Sequence, residues 1–178
     1  MIITIKTLES MGACERQIAL FRRLYPDGLE MQDNGPERQT VLDEAGRGGL
    51  DVEWWLKRTD GTGTARKWNN GRLIHARHYH DGALQDATDG TPAVREWTED
   101  GRLTHESHYY GGRLQDTGGT AAVRDWTEDG YLIHESHYYG GRPQDVNDEI
   151  AAVRSWTESG YLIYEHHYRH TNREPAHP

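Results

Sequence analysis

The sequence predicts an α+β chain: a small N-terminal helical domain, then an antiparallel β-meander of four hairpin repeats of about 29 residues. Two observations carry the β part. Trp68, Trp97, Trp126 and Trp156 recur at spacings of 29, 29 and 30. Just after each of them, Asn70-Gly71, Asp100-Gly101, Asp129-Gly130 and Ser159-Gly160 fill equivalent positions. Asn-Gly and Asp-Gly between alternating segments are the strongest short hairpin signal, because Gly accepts a positive φ. The third observation, helix-spaced apolar residues, is confined to the chain before Asp60. The expected division is residues 1–58, the repeats over 59–170 and a tail over 171–178.

Leu8, Met11, Cys14, Ile18, Phe21 and Tyr25 follow one another at steps of three or four, one face of an amphipathic helix. Pro26-Asp27-Gly28 ends it. On this reading Cys14 lies on the apolar stripe as a core residue, and an edge strand over Ile2–Lys6 can precede the helix. Asp33-Asn34-Gly35-Pro36 reads as a turn and cap. A second helix carries Val41, Leu42 and Ala45, with Gly46 as its C-terminal cap. Asp51 caps a third helix from Val52 to Arg58, whose Lys57 and Arg58 sit at the negative end of its dipole. Trp54 and Trp55 point to different sides, so one is buried and the other faces the repeats.

The two central copies match almost letter for letter over 93–113 and 122–142, while the first and last copies diverge as array ends do. A second turn follows the Tyr pair at Asp81-Gly82, Gly111-Gly112 and Gly140-Gly141, so each copy is a hairpin and the array has about eight strands. The pattern A-V-R-x-W-x-x-(D/N)-G-x-L-x-x-E-x-x-Y-x-x-G resembles the MORN-variant repeats of bacterial and phage proteins, many of them antitoxin-like. The resemblance covers roughly residues 60–170. It implies an open, single-layer β-sheet used for protein or membrane contact.

Composition narrows the function classes. Of 178 residues 34% are hydrophobic, with one Phe against six Trp and ten Tyr, which suits a thin sheet built on amphipathic aromatics. The formal charge of −9 argues against phosphate-backbone binding, which needs clustered Lys and Arg. No run approaches the ~18 apolar residues of a membrane span. The expected setting is cytoplasmic, with no cofactor.

Strand alternation places Leu103, His105, Ser107 and Tyr109 on one face and Thr104, Glu106, His108 and Tyr110 on the other. With the Trp, Leu and Tyr columns taken as the apolar face, the opposite face becomes the candidate recognition surface. Its residues are Tyr110, Tyr139, His108, His137, Glu106, Glu135, Arg95 and Arg124, set for a protein partner or a second copy in a homodimer. The His-x-x-His pairs, such as His105/His108, do not suit metal, because i and i+3 point to opposite faces of a strand. The pair His78/His80 and the cluster His166, His167 and His170 are the remaining chelate candidates. No catalytic motif is present, and residues that recur in register argue against a single active site. His105-Glu106-Ser107 contains triad residue types, but adjacent strand residues diverge in direction, so no triad is expected. The favoured reading is a non-enzymatic protein-binding module, antitoxin-like or a phage-encoded inhibitor of a bacterial defence protein such as an anti-CRISPR. A His-rich, metal- or pH-responsive binder and an unrecognised hydrolase are the alternatives.

Overall fold

The computed structural model describes residues 2–32, 36–59 and 61–168. The chain is α+β, with a few helices packed at one end of a large antiparallel sheet. Strand β1 (Ile2–Ile3) pairs antiparallel with β2 (Leu29–Glu30) around helices α1 (Ile5–Ser10) and α2 (Glu15–Leu24). The edge strand stops at Ile3 because Thr4 caps α1: its hydroxyl accepts from the Thr7 amide at 3.2 Å, and its own amide donates to the Thr7 hydroxyl at 3.2 Å.

The single helix expected from Leu8 to Tyr25 is therefore two. Gly12 takes φ +78°, and the chain turns before α2 starts. Cys14 lands at the N-cap of α2 and is exposed, so it is not a core residue. Helix α3 (Pro36–Arg47) runs through Gly46 rather than ending there. The missing side chain has another use: a Cβ on Gly46 would sit 3.3 Å from both the Arg66 carbonyl and the Trp68 ring, so Gly lets α3 lie against the sheet. Helix α4 (Val52–Arg58) begins as expected, with the Asp51 carboxylate accepting from the Trp54 amide at 2.9 Å. Trp55 is buried and Trp54 half-buried. The Asp33–Gly35 turn lies outside the described residues.

From residue 63 the chain builds hairpins. The first is β3 (Gly63–Asn69) with β4 (Arg72–His80), followed by the short β5 (Ala83–Leu84). Next come β6 (Val94–Trp97) with β7 (Leu103–Ser107), then the two-residue strands β8 (Tyr109–Tyr110) and β9 (Arg113–Leu114). The same sequence repeats as β10 (Val123–Trp126), β11 (Leu132–Ser136), β12 (Tyr138–Tyr139) and β13 (Arg142–Pro143). Strands β14 (Val153–Trp156) and β15 (Leu162–His166) close the array. The long hairpins join in the order β3-β4-β6-β7-β10-β11-β14-β15, and β5 adds to β4, giving nine strands. The short pairs β8–β9 and β12–β13 stand apart as two-stranded sheets.

Asn70 and Gly71 both take positive φ and close a two-residue turn between Asn69 and Arg72. The later hairpins instead close over five residues. In the third, the Thr127 amide donates to the Tyr131 carbonyl and the Gly130 amide to Thr127, both at 2.9 Å. Each long hairpin also carries a register shift just before its Trp: Glu96 pairs with His105 but Trp97 with Leu103. Thr104 is thus an extra residue, a β-bulge. Residues paired across strands share a face. Trp97, Leu103, Arg95 and Glu106 therefore lie on one face, and Glu96, His105, Val94 and Ser107 on the other. Simple alternation had put Leu103 with His105; the bulge moves the Leu column onto the Arg–Glu face, where Trp97 already lies two residues from Arg95.

The buried apolar core gathers Ile3, Leu8, Phe21, Met31, Leu42, Val52, Trp55 and Leu56 against Ala65 and Tyr79 of the first hairpin. Trp97, Trp126 and Trp156 are half-buried and are not part of it. Beyond the first hairpin the array is a single layer held by its backbone ladder, by small buried residues (Ala93, Ala122, Ala151, Ala152) and by paired polar groups.

Candidate functional site

Three polar systems run along the array. The first is a stack of Arg, Trp and Glu. Arg95 lies over the Trp97 ring at 5.2 Å, Arg124 over Trp126 at 5.2 Å and Arg154 over Trp156 at 5.3 Å. Arg124 also donates through Nε and Nη2 to Glu106 of the preceding unit, and Arg154 does the same to Glu135. Arg95 has Ala76 at that position, across the β4–β6 pairing, and its buried Nε has no hydrogen-bond partner. Glu106, His108 and His137 are buried and Glu135, Arg95 and Arg124 half-buried. These six were expected on an open recognition face. They are packed between neighbouring hairpins because their partners come from the next unit, which alternation within one strand does not reveal.

The second system joins each unit to the next. Asp86 follows the first short strand, and its Oδ1 accepts from the amides of Ala93 and Tyr109, both at 2.9 Å, while its Oδ2 meets His108 Nδ1 at 2.6 Å. Asp116 repeats this with Ala122 at 2.8 Å, Tyr138 at 2.9 Å and His137 Nδ1 at 2.7 Å. Asp145 does so with Ala152 at 2.9 Å, Tyr168 at 2.8 Å and His167 at 3.0 Å. The preceding glutamines assist: Gln85 Oε1 accepts from the Gly111 amide at 2.7 Å and Gln115 Oε1 from Gly140 at 2.8 Å. Burial works against the Asp86 and Asp145 carboxylates, but these hydrogen bonds hold both below their ordinary range. Burial also works against the charge on His137, yet Asp116 and then Glu135, at 3.3 Å, raise it to about 9. The His78 ring, in the first unit, meets the Thr64 hydroxyl at 3.0 Å in place of a carboxylate, and burial lowers its pKa. None of these Asp or Gln residues was singled out from the sequence. The signal was there as Gln-Asp at 85–86, 115–116 and 144–145, one pair between each repeat and the next.

The third system has the connectivity of a catalytic triad. Ser107 Oγ lies 2.6 Å from His105 Nε2, and His105 Nδ1 lies 2.6 Å from Asp125 Oδ1, which raises the His105 pKa. Residues two apart share a strand face, so His105 and Ser107 do meet. Ser107 is buried, however, and the next unit repeats the chain as Ser136, His134 and Ser155 at 2.8 and 3.0 Å, with a hydroxyl in place of the carboxylate. The Ser107 hydroxyl is a buried member of a recurring ladder in which His105 ties β7 to Asp125 of β10.

What stands out into solvent is the row of short hairpins. Tyr110 is 72% exposed and Tyr139 69%. Each faces an exposed arginine across its turn: Tyr110 pairs with Arg113 and Tyr139 with Arg142. Gly111-Gly112 and Gly140-Gly141 take positive φ at all four positions, as these tight turns require. Arg113 and Arg142 replace Arg95 and Arg124 as the accessible cations of the pattern. Beside Tyr110 an open groove is lined by His78, His80, Gln85, Thr88, Tyr109 and Thr117.

No group of three or more His, Cys, Asp or Glu able to hold a metal ion occurs among the described residues. His170, one of the chelate candidates, lies outside them. Among the described residues no helix is long and apolar enough to cross a membrane. Comparison of the chain with family models, with curated proteins and with solved structures gives no match.

Proposed function

We propose that this chain is a non-enzymatic protein-binding module, a MORN-like array of four repeats whose recognition surface is the row of short hairpins carrying Tyr110 and Tyr139. One observation carries the reading: two Tyr–Arg pairs, equivalent in sequence, are held out in solvent by turns whose backbone is fixed from the neighbouring unit. Tyr and Arg are the residue types enriched at binding hot spots, and Tyr buries a large area at low entropy cost. Because Gln85 and Gln115 accept from the turn amides, the pairs are preorganised, which reduces the ordering cost of association. An antitoxin-like or inhibitor role, including inhibition of a defence protein, is the form of this reading that the repeat pattern suggests. The buried Ser107 supports the non-enzymatic side of it.

The test is affinity capture with the native chain and with a Tyr110→Ala, Tyr139→Ala double variant, with partners identified by mass spectrometry. Both positions are exposed, so the fold should be unchanged, which circular dichroism checks. A stoichiometric protein held by the native chain and lost by the variant supports the proposal. Equal capture by both refutes it. A pH-responsive binder is the second reading, favoured by the opposite displacements of His78 and His137. It requires that partner affinity change between pH 7.5 and 5.5.

A further inference from the structure

The two outer edges of the large sheet are finished differently. At β3 the edge is closed by α3. Gln39 Nε2 donates to the Thr64 carbonyl and Gln39 Oε1 accepts from the Thr64 amide, both at 2.8 Å, so one side chain satisfies the main chain as a neighbouring strand would. Arg66 pairs with Asp43 of α3 at 2.7 Å beside it. At the other edge every residue of β15 is exposed, with Ile163 at 66% and Tyr164 at 51%, and Tyr161 just before it at 72%. A long edge strand with bare apolar side chains is a template for another strand.

Inside the array the corresponding edges of β7 and β11 are both taken, and in the same way. Strand β7 receives β10 with Val123 opposite Ser107 and Arg124 opposite Glu106. Strand β11 receives β14 with Val153 opposite Ser136 and Arg154 opposite Glu135. The incoming arginine then bonds to the glutamate. Glu165 is the equivalent acceptor on β15. It has no hydrogen-bond or ion-pair partner among the described residues, because Arg154, opposite it in the hairpin, is bonded to Glu135. Beside Glu165 the last unit departs from the internal ones. Tyr164 stands where His105 and His134 contact the incoming Asp125 and Ser155, and His166 stands where Ser107 and Ser136 complete those ladders. The result is an aromatic run, with Tyr164 and His166 ring centroids 6.4 Å apart and His166 and Tyr168 4.6 Å apart. It calls for an apolar residue opposite Tyr164, where an internal strand brings Asp125 or Ser155, and for one opposite His166, where an internal strand already brings a valine.

We infer that β15 is a docking edge for an extended strand of a partner protein, added antiparallel, with an arginine on Glu165 between two apolar residues that face Tyr164 and His166. A second copy of this chain fits less well. Its Val-Arg strands β6, β10 and β14 lie inside the sheet, and Arg66 lies under α3. Two β15 strands paired about a two-fold axis would offer Glu165 only His166 and His167, since residues 162–168 contain no Lys or Arg. This edge is separate from the Tyr110 and Tyr139 surface, and the proposal does not depend on that surface being used.

The probe is a labelled nine-residue peptide copying 150–158 of this chain with Ser155→Val, titrated into the full-length protein by fluorescence anisotropy. Saturable binding is expected, and Glu165→Lys should weaken it by about tenfold or more, as loss of a close charge pair does. A peptide that also carries Arg154→Glu should fail on the native protein and recover at least tenfold on the Glu165→Lys protein. Glu165 is exposed, so the variant should fold, and its unchanged melting profile is the control. Hydrogen exchange supplies the second measurement: the β15 amides not bonded to β14 should exchange quickly in the free protein and slow with peptide. Absence of saturable binding overturns the proposal, as does binding indifferent to Glu165→Lys. Protection of those amides in the free protein also overturns it. Protection that grows with protein concentration would assign the edge to a second copy, and concentration-independent protection to the chain's own residues.

Discussion

Replacing Asp116 by asparagine isolates one of the junctions between units. The carboxylate accepts from the amides of Ala122 and Tyr138 and from His137. An asparagine keeps an oxygen for the two amides and offers its own N–H to a neutral imidazole, so the shape survives and the charge does not. His137 is raised from 6.5 to about 9, with burial opposing and Asp116 and Glu135 prevailing. A group whose pKa is raised by folding stabilises the fold fully below its unfolded value, near 6.5, and loses that contribution as pH rises through about 9. At ~1.4 kcal/mol per unit, the rise is worth ~2.5 kcal/mol at pH 7. Two carboxylates share it, so Asp116→Asn should cost ~1–2 kcal/mol at pH 7, roughly 2–8 °C in melting temperature for a chain of this size. At pH 10 His137 is neutral in both proteins, and the difference should shrink to under ~0.5 kcal/mol, the scale of surface effects. Other groups titrate in this window, but they are common to both proteins and cancel in the comparison. Urea midpoints of the pair at pH 7 and pH 10 supply the data. A penalty of equal size at both pH values would show that His137 carries no charge in the fold, and the argument for a charged junction would fail.

Trp126→Ala should cost less than the ~3–5 kcal/mol typical of a buried Trp, because the ring is only half-buried beneath Arg124; a denaturant midpoint showing the full loss would mean the ring is sealed. Glu106→Ala should cost ~1–3 kcal/mol, the penalty for leaving a partly buried donor unpaired, since the fold already holds Arg95 opposite Ala76 without such a carboxylate. A loss above 4 kcal/mol by the same measurement would assign Glu106 a larger role than its pairing with Arg124. Treatment with a chelator should leave the melting temperature unchanged, and a fall of many degrees would reveal a metal bound by the histidines.

The large sheet was legible because its determinants are local. Trp spacing and the Asn-Gly and Asp-Gly pairs mark strand ends whatever lies beside them. The helices were legible in position but not in continuity. Gly12 sits within an apolar spacing that fits one helix, and only its positive φ breaks it. The faces were misread for a related reason. The residue inserted at Thr104 is silent in the alternation, yet it transfers the Leu column onto the face that Trp97 shares with Arg95 and Glu106. The candidate site was misread more deeply. Glu106, His108 and His137 look like solvent residues in a strand of polar alternation, and their burial comes from groups 18 to 22 positions away in sequence, Arg124, Asp86 and Asp116. Tyr110 and Tyr139 are exposed because the two glycines after each lift them onto a separate short hairpin, and those glycines were visible as a turn.

The junctions at Asp86, Asp116 and Asp145 each bind a unit to its immediate successor, and among the described residues only the first unit shares an apolar core with the helices. Loss of structure in such a chain has a direction. Among the described residues the last hairpin is held on one side, so opening should begin there and move toward the helices one unit at a time, with the first hairpin the last to yield. Amide protection should then fall in steps from β4 to β15. A force applied at the C-terminus would meet a series of small, similar barriers, and one applied at the N-terminus would meet the core at once.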